Sequence, residues 1–229
     1  MRSVIFIILL MVLQLRPSLG EVFKPVGNST YAEVLEGALV FRDSLRVCLK
    51  EISNTYEREL FLTTASQSIR DEIVYGIIPY WYGTSWSFNG TTQIPGEGTI
   101  ACGYFVTTVL RDAGVKLDRI RLAQEPSELM IRSLISPASV WRFSNRSIEG
   151  FVDKIREIGP GLYIVGLDCH VGFIVNDVSG IHFIHSSYRV PYKVVRELAL
   201  ESSILADSAY RVLGKLDSDP QSLMLWLLE

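Results

Sequence analysis

The chain has few of the residues that do chemistry. Three cysteines and three histidines are spread over 229 residues. It has no CxxC pair and no HExxH stretch, so neither a zinc knuckle nor a metalloprotease helix is encoded. No cluster of Lys and Arg stands out, and 22 basic residues face 25 acidic ones. A nucleic-acid partner is therefore not expected. Beyond residue 20 no apolar stretch reaches the roughly 20 residues that a membrane span needs. Internal repeats and low-complexity tracts are absent as well.

The first twenty residues read as a leader. Arg2 precedes the apolar run Val4–Leu13, and Ser18 and Gly20 put small residues at the −3 and −1 positions before Glu21. That is the layout of a cleaved signal peptide over residues 1–20. No cysteine follows the cleavage point, so no membrane anchor is expected after cleavage. The implied localisation is periplasmic or secreted. Residues 21–229, 209 in number, suit a single domain with a substantial core. Without Arg2 and Arg16 they carry 20 basic and 25 acidic residues, a formal charge of −5. An odd cysteine count in an oxidising compartment leaves at least one thiol free or paired between chains. Cys48 with Cys169 is a candidate bridge; the alternative for Cys48 is a buried apolar position on a helix face.

Hydrophobic spacing divides the chain into a helical part, 21–78, and a core, 79–229. Residues 21–29 read as an extended lead-in. Thr30-Tyr31-Ala32-Glu33 is a capping box, and apolar residues at helical spacing follow it to Ile52. A second helix is expected over Glu57–Thr63. A third should start near Ser66 or Ser68 and stop before Pro79. Residues 79–99 mix Pro, Gly, Thr and Ser with Tyr80, Trp81, Tyr82, Trp86 and Phe88. Such a long loop is either functional or an aromatic-packed surface segment. Helices are expected from Cys102 to Asp112, over Ser127–Leu134, over Ser147–Ile158 and over Gln221–Leu228. Strands are expected at 162–167, 171–175, 181–185 and 210–213. Helices first and strands later indicate an α+β fold.

The chemistry concentrates at Cys102. It lies where a small-residue segment meets an apolar helix, so the helix N-terminus should favour a thiolate and lower the thiol pKa. The histidines, His170, His182 and His185, all fall in one predicted hairpin. Side chains alternate along a strand. If Val175 faces Gly180, facing residue numbers sum to 355 and His170 lies opposite His185. A sum of 357 makes the two diagonal neighbours on one face. His182 joins that face only in an even register, and then about 13 Å away. The parity also sends His182 and His185 to opposite faces, which argues against a three-histidine metal site. The expected roles are Cys102 as nucleophile, His170 as general base and His185 as the group that orients it. Asp168 and Asn176 are reserves for the orienting role. The oxyanion would meet the Cys102 N–H and a donor from the aromatic loop. Arg189, four residues past His185, is a candidate contact for a substrate carboxylate or simply a solvated surface residue.

At these residues the sequence resembles a family. Trp81-Tyr82-Gly83-Thr84-Ser85-Trp86-Ser87-Phe88-Asn89-Gly90 followed by Ala101-Cys102-Gly103-Tyr104-Phe105-Val106 looks like the NlpC-type papain-like cysteine peptidases, whose pattern is W-x-G-T-P-Y-x-x-G-G and then D-C-S-G-F-V. His170-Val171-Gly172-Phe173-Ile174-Val175 and Phe183-Ile184-His185-Ser186-Ser187 match the family's H-V-G-I-Y-I and F-I-H-A-S. The likeness covers about Trp81–Tyr188. It implies a papain-like core with the Cys helix on a small antiparallel sheet, here with extra N-terminal helices. It also implies a Cys102–His170–His185 triad and cleavage of an amide in peptidoglycan stem peptides, without a cofactor or metal. The expected partner is a peptide or cell-wall fragment. Trp86 takes the place of a tyrosine that helps the family's oxyanion hole. Ala101 and Gly103 replace Asp and Ser beside the nucleophile and mark a divergent branch. The other readings are an acyl or peptidyl transferase, a binding module with a vestigial site, or a structural domain in which Cys102 is bridged to Cys169.

Overall fold

The first helix starts where the sequence caps it. Thr30 accepts the Glu33 N–H, and the Glu33 carboxylate accepts the Thr30 N–H at 2.7 Å. This completes the capping box and starts α1 (Tyr31–Glu51). The computed structural model describes residues 29–227. The signal-peptide reading and nearly all of the lead-in lie outside the described residues.

One helical rod replaces the two separate helices expected next. α2 (Thr55–Asp71) runs straight through Thr63 and Thr64. Their hydroxyls donate back to the Glu59 and Leu60 carbonyls at 3.0 and 3.1 Å, so neither side chain competes with the helical ladder. The rod continues through a π-helical turn, Glu72–Ile77, into a last turn, Ile78–Trp81. Pro79 does not stop it. It sits in the first turn of that final segment, where a missing N–H costs little.

The expected loop after Pro79 carries two short strands, β1 (Ser85–Trp86) and β2 (Thr99–Ile100), paired in parallel. Then come α3 (Cys102–Asp112), α4 (Arg119–Ala123) and α5 (Ser127–Leu134). β3 (Val140–Ser144), α6 (Ile148–Ile158), β4 (Gly161–Leu167), β5 (Val171–Asp177) and β6 (Gly180–Ser186) follow. β7 (Val194–Leu198), α7 (Ser203–Asp207), β8 (Tyr210–Lys215) and α8 (Pro220–Leu227) complete the order.

Strands β3 to β8 form one six-stranded antiparallel sheet in the order β3-β8-β4-β5-β6-β7. The fold is thus mixed α+β, as the order of patterns implied. Each face of the sheet has its own core. Val171, Phe173, Val175 and Ile184 face α3 and the N-terminal helices, with Phe105 edge-on to Phe173 at 5.9 Å. Ile174, Phe183 and Val165 face α6 through Phe151 and Ile155. Fully burying a side chain of this size contributes about 1.5–3 kcal/mol. A polar link fixes α3 against the helical part: the Trp81 indole donates to Tyr31 Oη at 2.9 Å, and Tyr31 donates to Asp112 at 2.7 Å.

The sequence pattern missed both edges of the sheet. β3 and β7 are five residues each and carry Arg142, or Arg196 and Glu197, among their apolar residues. Short strands with charges are what an edge tolerates. The β7 edge is also covered. Gly83 N–H donates to Val194 O at 2.9 Å, Val194 N–H to Thr84 O at 2.8 Å, and Trp86 N–H to Tyr192 O at 2.8 Å. The aromatic loop is thereby fastened beside the hairpin that holds the histidines.

Candidate active site

Cys102 is the first residue of α3, as expected, and the chain on either side of it is clamped. Ala101 N–H donates to Gly90 O at 2.9 Å, and Ser186 Oγ donates to Ile100 O at 2.7 Å. The second bond ties the end of β6 to the residues just before the thiol. Gly103 has no room for a side chain, because a Cβ there would run into the Ala123 carbonyl at the end of α4. Close packing of α4 on the start of α3 accounts for glycine at this position. Arg119 holds α4 in place. Its Nε donates to Thr108 at 2.7 Å, and its guanidinium lies 4.8 Å from the Tyr104 ring centre. Ala101 offers no capping side chain to the first N–H groups of the helix.

The thiol lies against the start of β5. The N–H groups of Val171, Gly103 and Cys102 itself are directed at the sulfur, and Cys169 is near it. Val171 and Cys169 are the two chain neighbours of His170. The expectation of a lowered thiol pKa is overturned. Burial raises it above the ordinary value, and the three N–H groups only partly offset that. Desolvation of a thiolate outweighs a few N–H dipoles when the sulfur is this enclosed.

The hairpin register is the diagonal one. Phe173 faces Ile184 and Ile174 faces Phe183, so facing numbers sum to 357. His185 lies across from position 172, and His170 Nε2 is 2.9 Å from His185 Nδ1. The pair needs Gly172. A Cβ at that position would sit 2.6 Å from Phe183 Cε2 and 2.8 Å from His185 Cβ. His185 stacks on Phe183 at 4.0 Å, and His170 meets the Tyr188 ring edge-on at 5.1 Å. Both imidazoles are buried, His170 at 4 % exposure and His185 at 0 %. Burial holds the His170 pKa well below the ordinary histidine value, and the neighbouring His185 adds to the effect. Burial also lowers His185, partly opposed by Glu197. At neutral pH the resting pair is therefore a neutral thiol and a neutral imidazole. Among the described residues no hydrogen bond reaches His170 Nδ1, so that nitrogen is the one left to take a proton.

The remaining candidates separate clearly. His182 faces the other side of the sheet and lies 3.1 Å from an Arg196 nitrogen. Asp168 accepts from Ala209 and Tyr210 N–H at 2.7 and 3.1 Å, and Asn176 donates to Gly159 O at 2.7 Å. Both are structural, so neither reserve orients His170. Trp86 is beside the site: its ring lies 6.4 Å from Tyr188, which touches His170. Arg189 pairs with Asp207 and Ser203 at 2.8 and 2.9 Å and lies over Tyr188 at 5.6 Å. Its charge is already met on the protein. Cys48, Cys102 and Cys169 are all free thiols, so neither the Cys48–Cys169 nor the Cys102–Cys169 bridge is formed. Two clefts, of about 740 and 390 Å³, lie elsewhere, and neither is lined by Cys102, His170 or His185.

One residue of the cluster went unnoticed in the sequence. His185 Nε2 lies 3.3 Å from Glu197 Oε1, on edge strand β7. The signal was the alternation in Val194-Val195-Arg196-Glu197-Leu198, which places Glu197 opposite Phe183 and so on the histidine face. Burial pushes the Glu197 carboxyl up, but hydrogen bonds from His185 and Ser202 together outweigh it and leave it below the ordinary glutamate value. A carboxylate and two imidazoles thus follow one another across β7, β6 and the start of β5, and the Cys102 thiol lies against the backbone next to His170. No family model, curated protein or solved structure matches this chain.

Proposed function

We propose that the chain is an exported cysteine hydrolase with an NlpC-type, papain-like core, which cleaves an amide in a peptide of the peptidoglycan stem class. The observation that carries the reading is the thiol at the N-terminus of α3, set against the backbone beside His170, with His185 2.9 Å behind that imidazole. In the proposed cycle His170 Nδ1 takes the Cys102 proton as sulfur attacks the amide carbonyl carbon. The C–N bond then breaks, and His170 returns the proton to the leaving amine. The thioester that remains is cleaved by water, again with His170 as base. The Cys102 N–H and the Trp86 indole would meet the oxyanion. Because the resting thiol is neutral, proton transfer to His170 is part of the attack rather than a step completed beforehand.

Digestion of purified peptidoglycan and free muropeptides by wild type and by Cys102→Ala tests this. Wild type releases stem-peptide fragments, and the variant falls to background, a loss on the order of 10⁶ in kcat. Equal release by the two proteins would overturn the hydrolase reading. Products longer than the substrate would move the chemistry to peptidyl transfer.

A further inference from the structure

We infer that Glu197 is a positioning residue that sets the tautomers of both imidazoles and thereby makes His170 Nδ1 the proton acceptor. The effect on rate rests on the cysteine-hydrolase reading, whereas the tautomers do not.

The argument is one of donors and acceptors. An ionised carboxylate only accepts, so His185 Nε2, 3.3 Å from Glu197 Oε1, carries a hydrogen. Neutral imidazole has one N–H, so His185 Nδ1 is then an acceptor. His170 Nε2, 2.9 Å from it, must donate. The hydrogen of His170 is thereby placed on Nε2, and Nδ1 keeps its lone pair. With the opposite arrangement His185 Nδ1 would donate, His170 would carry its hydrogen on Nδ1, and it could not accept the thiol proton. A second proton on either ring is disfavoured, since both are almost fully buried.

Ser202 stands near the Glu197 carboxylate and favours its charged form. Its Oγ accepts the Leu205 N–H at 3.2 Å, which leaves the hydroxyl hydrogen for another acceptor. A glutamine would keep its carbonyl on Ser202 and turn its NH₂ to His185, inverting both tautomers. The titratable groups in contact with the pair are Tyr188 after β6 and Glu197 on β7; Cys169 and Arg189 lie beside Tyr188, and Cys102 lies against the Val171 backbone. His182 and Arg196 face the other side of the sheet.

Imidazole ¹⁵N shifts of wild type, Glu197→Gln and Glu197→Asp, read beside kcat, KM and the pH–rate profile, decide the matter. Wild type should show pyridine-type Nδ1 and pyrrole-type Nε2 on both His170 and His185. Glu197→Gln should exchange these assignments and lower kcat about 100-fold with KM little changed. Glu197→Asp keeps a carboxylate and should keep the wild-type pattern. Wild-type protein with a hydrogen on His185 Nδ1 would overturn the inference before any variant is made. So would a folded Glu197→Gln protein with unaltered shifts. If wild type and Cys102→Ala hydrolyse nothing, the function fails while the ¹⁵N pattern still decides the role of Glu197.

Discussion

The β5–β6 hairpin and the β7 edge lie side by side in one sheet but hold different chemistry. The hairpin is buried along most of its length and holds two neutral imidazoles. The edge strand is partly exposed over most of its residues and holds the carboxylate, with the Glu197 side chain 36 % exposed. Charge is expensive in the middle of a sheet packed on both faces and cheaper at its rim. The arrangement puts the carboxylate where water reaches it and the two imidazoles where the protein controls their contacts. Stability should therefore reside in the centre, while the role inferred for the edge is to set the proton arrangement.

Three measurements would break or sharpen that contrast. The largest effect is expected at the centre. Phe173 is fully buried against Phe105, so Phe173→Ala should cost about 3–5 kcal/mol in urea denaturation. A loss below about 1 kcal/mol would mean that the hairpin is not the structural centre. Acid should expose the next largest difference. His170 and His185 are held below the ordinary histidine value of 6.5, so the folded chain binds fewer protons than the unfolded one just below that pH. Stability is then unaffected above about pH 6.5. Below it, stability falls toward the folded pKa values by at most about 1.4 kcal/mol per pH unit for each histidine. Denaturation midpoints of wild type and a His170→Gln/His185→Gln variant would show it, because the variant should lose most of that slope. The smallest effect belongs to the edge. Leu198 is 42 % exposed, so Leu198→Ala should change stability by no more than about 0.5 kcal/mol.

Legibility followed the same contrast. Val171–Val175 and Ile181–His185 are apolar enough, with turn residues between them, to be read as a hairpin from the chain alone. Their parity put His170 and His185 on one face and His182 on the other in either odd register. The edge strands β3 and β7 have mixed composition, so the pattern could not distinguish them from loop, and Glu197 was lost with β7. The chain after Thr63 read as a gap between two helices and Pro79 as a stop, because local propensity does not show hydroxyls bonding back to the helix or a π-turn ahead of the proline. The thiol pKa was misjudged in direction for a related reason. A helix start is visible in sequence, but the enclosure of its first side chain is not.

Sequence by itself determined the α+β order, the helix that begins at Cys102, the hairpin and the face shared by its two histidines. These depend on periodicity, capping and side-chain alternation, all of which act over a few residues. Tertiary structure alone decided which of the two odd registers the hairpin adopts and that Val171 N–H meets the thiol. It also decided that burial keeps thiol and imidazoles neutral, and that Glu197 stands behind His185. Those depend on which strand lies at the edge and on how much water is excluded, which are properties of the packed sheet rather than of any one segment.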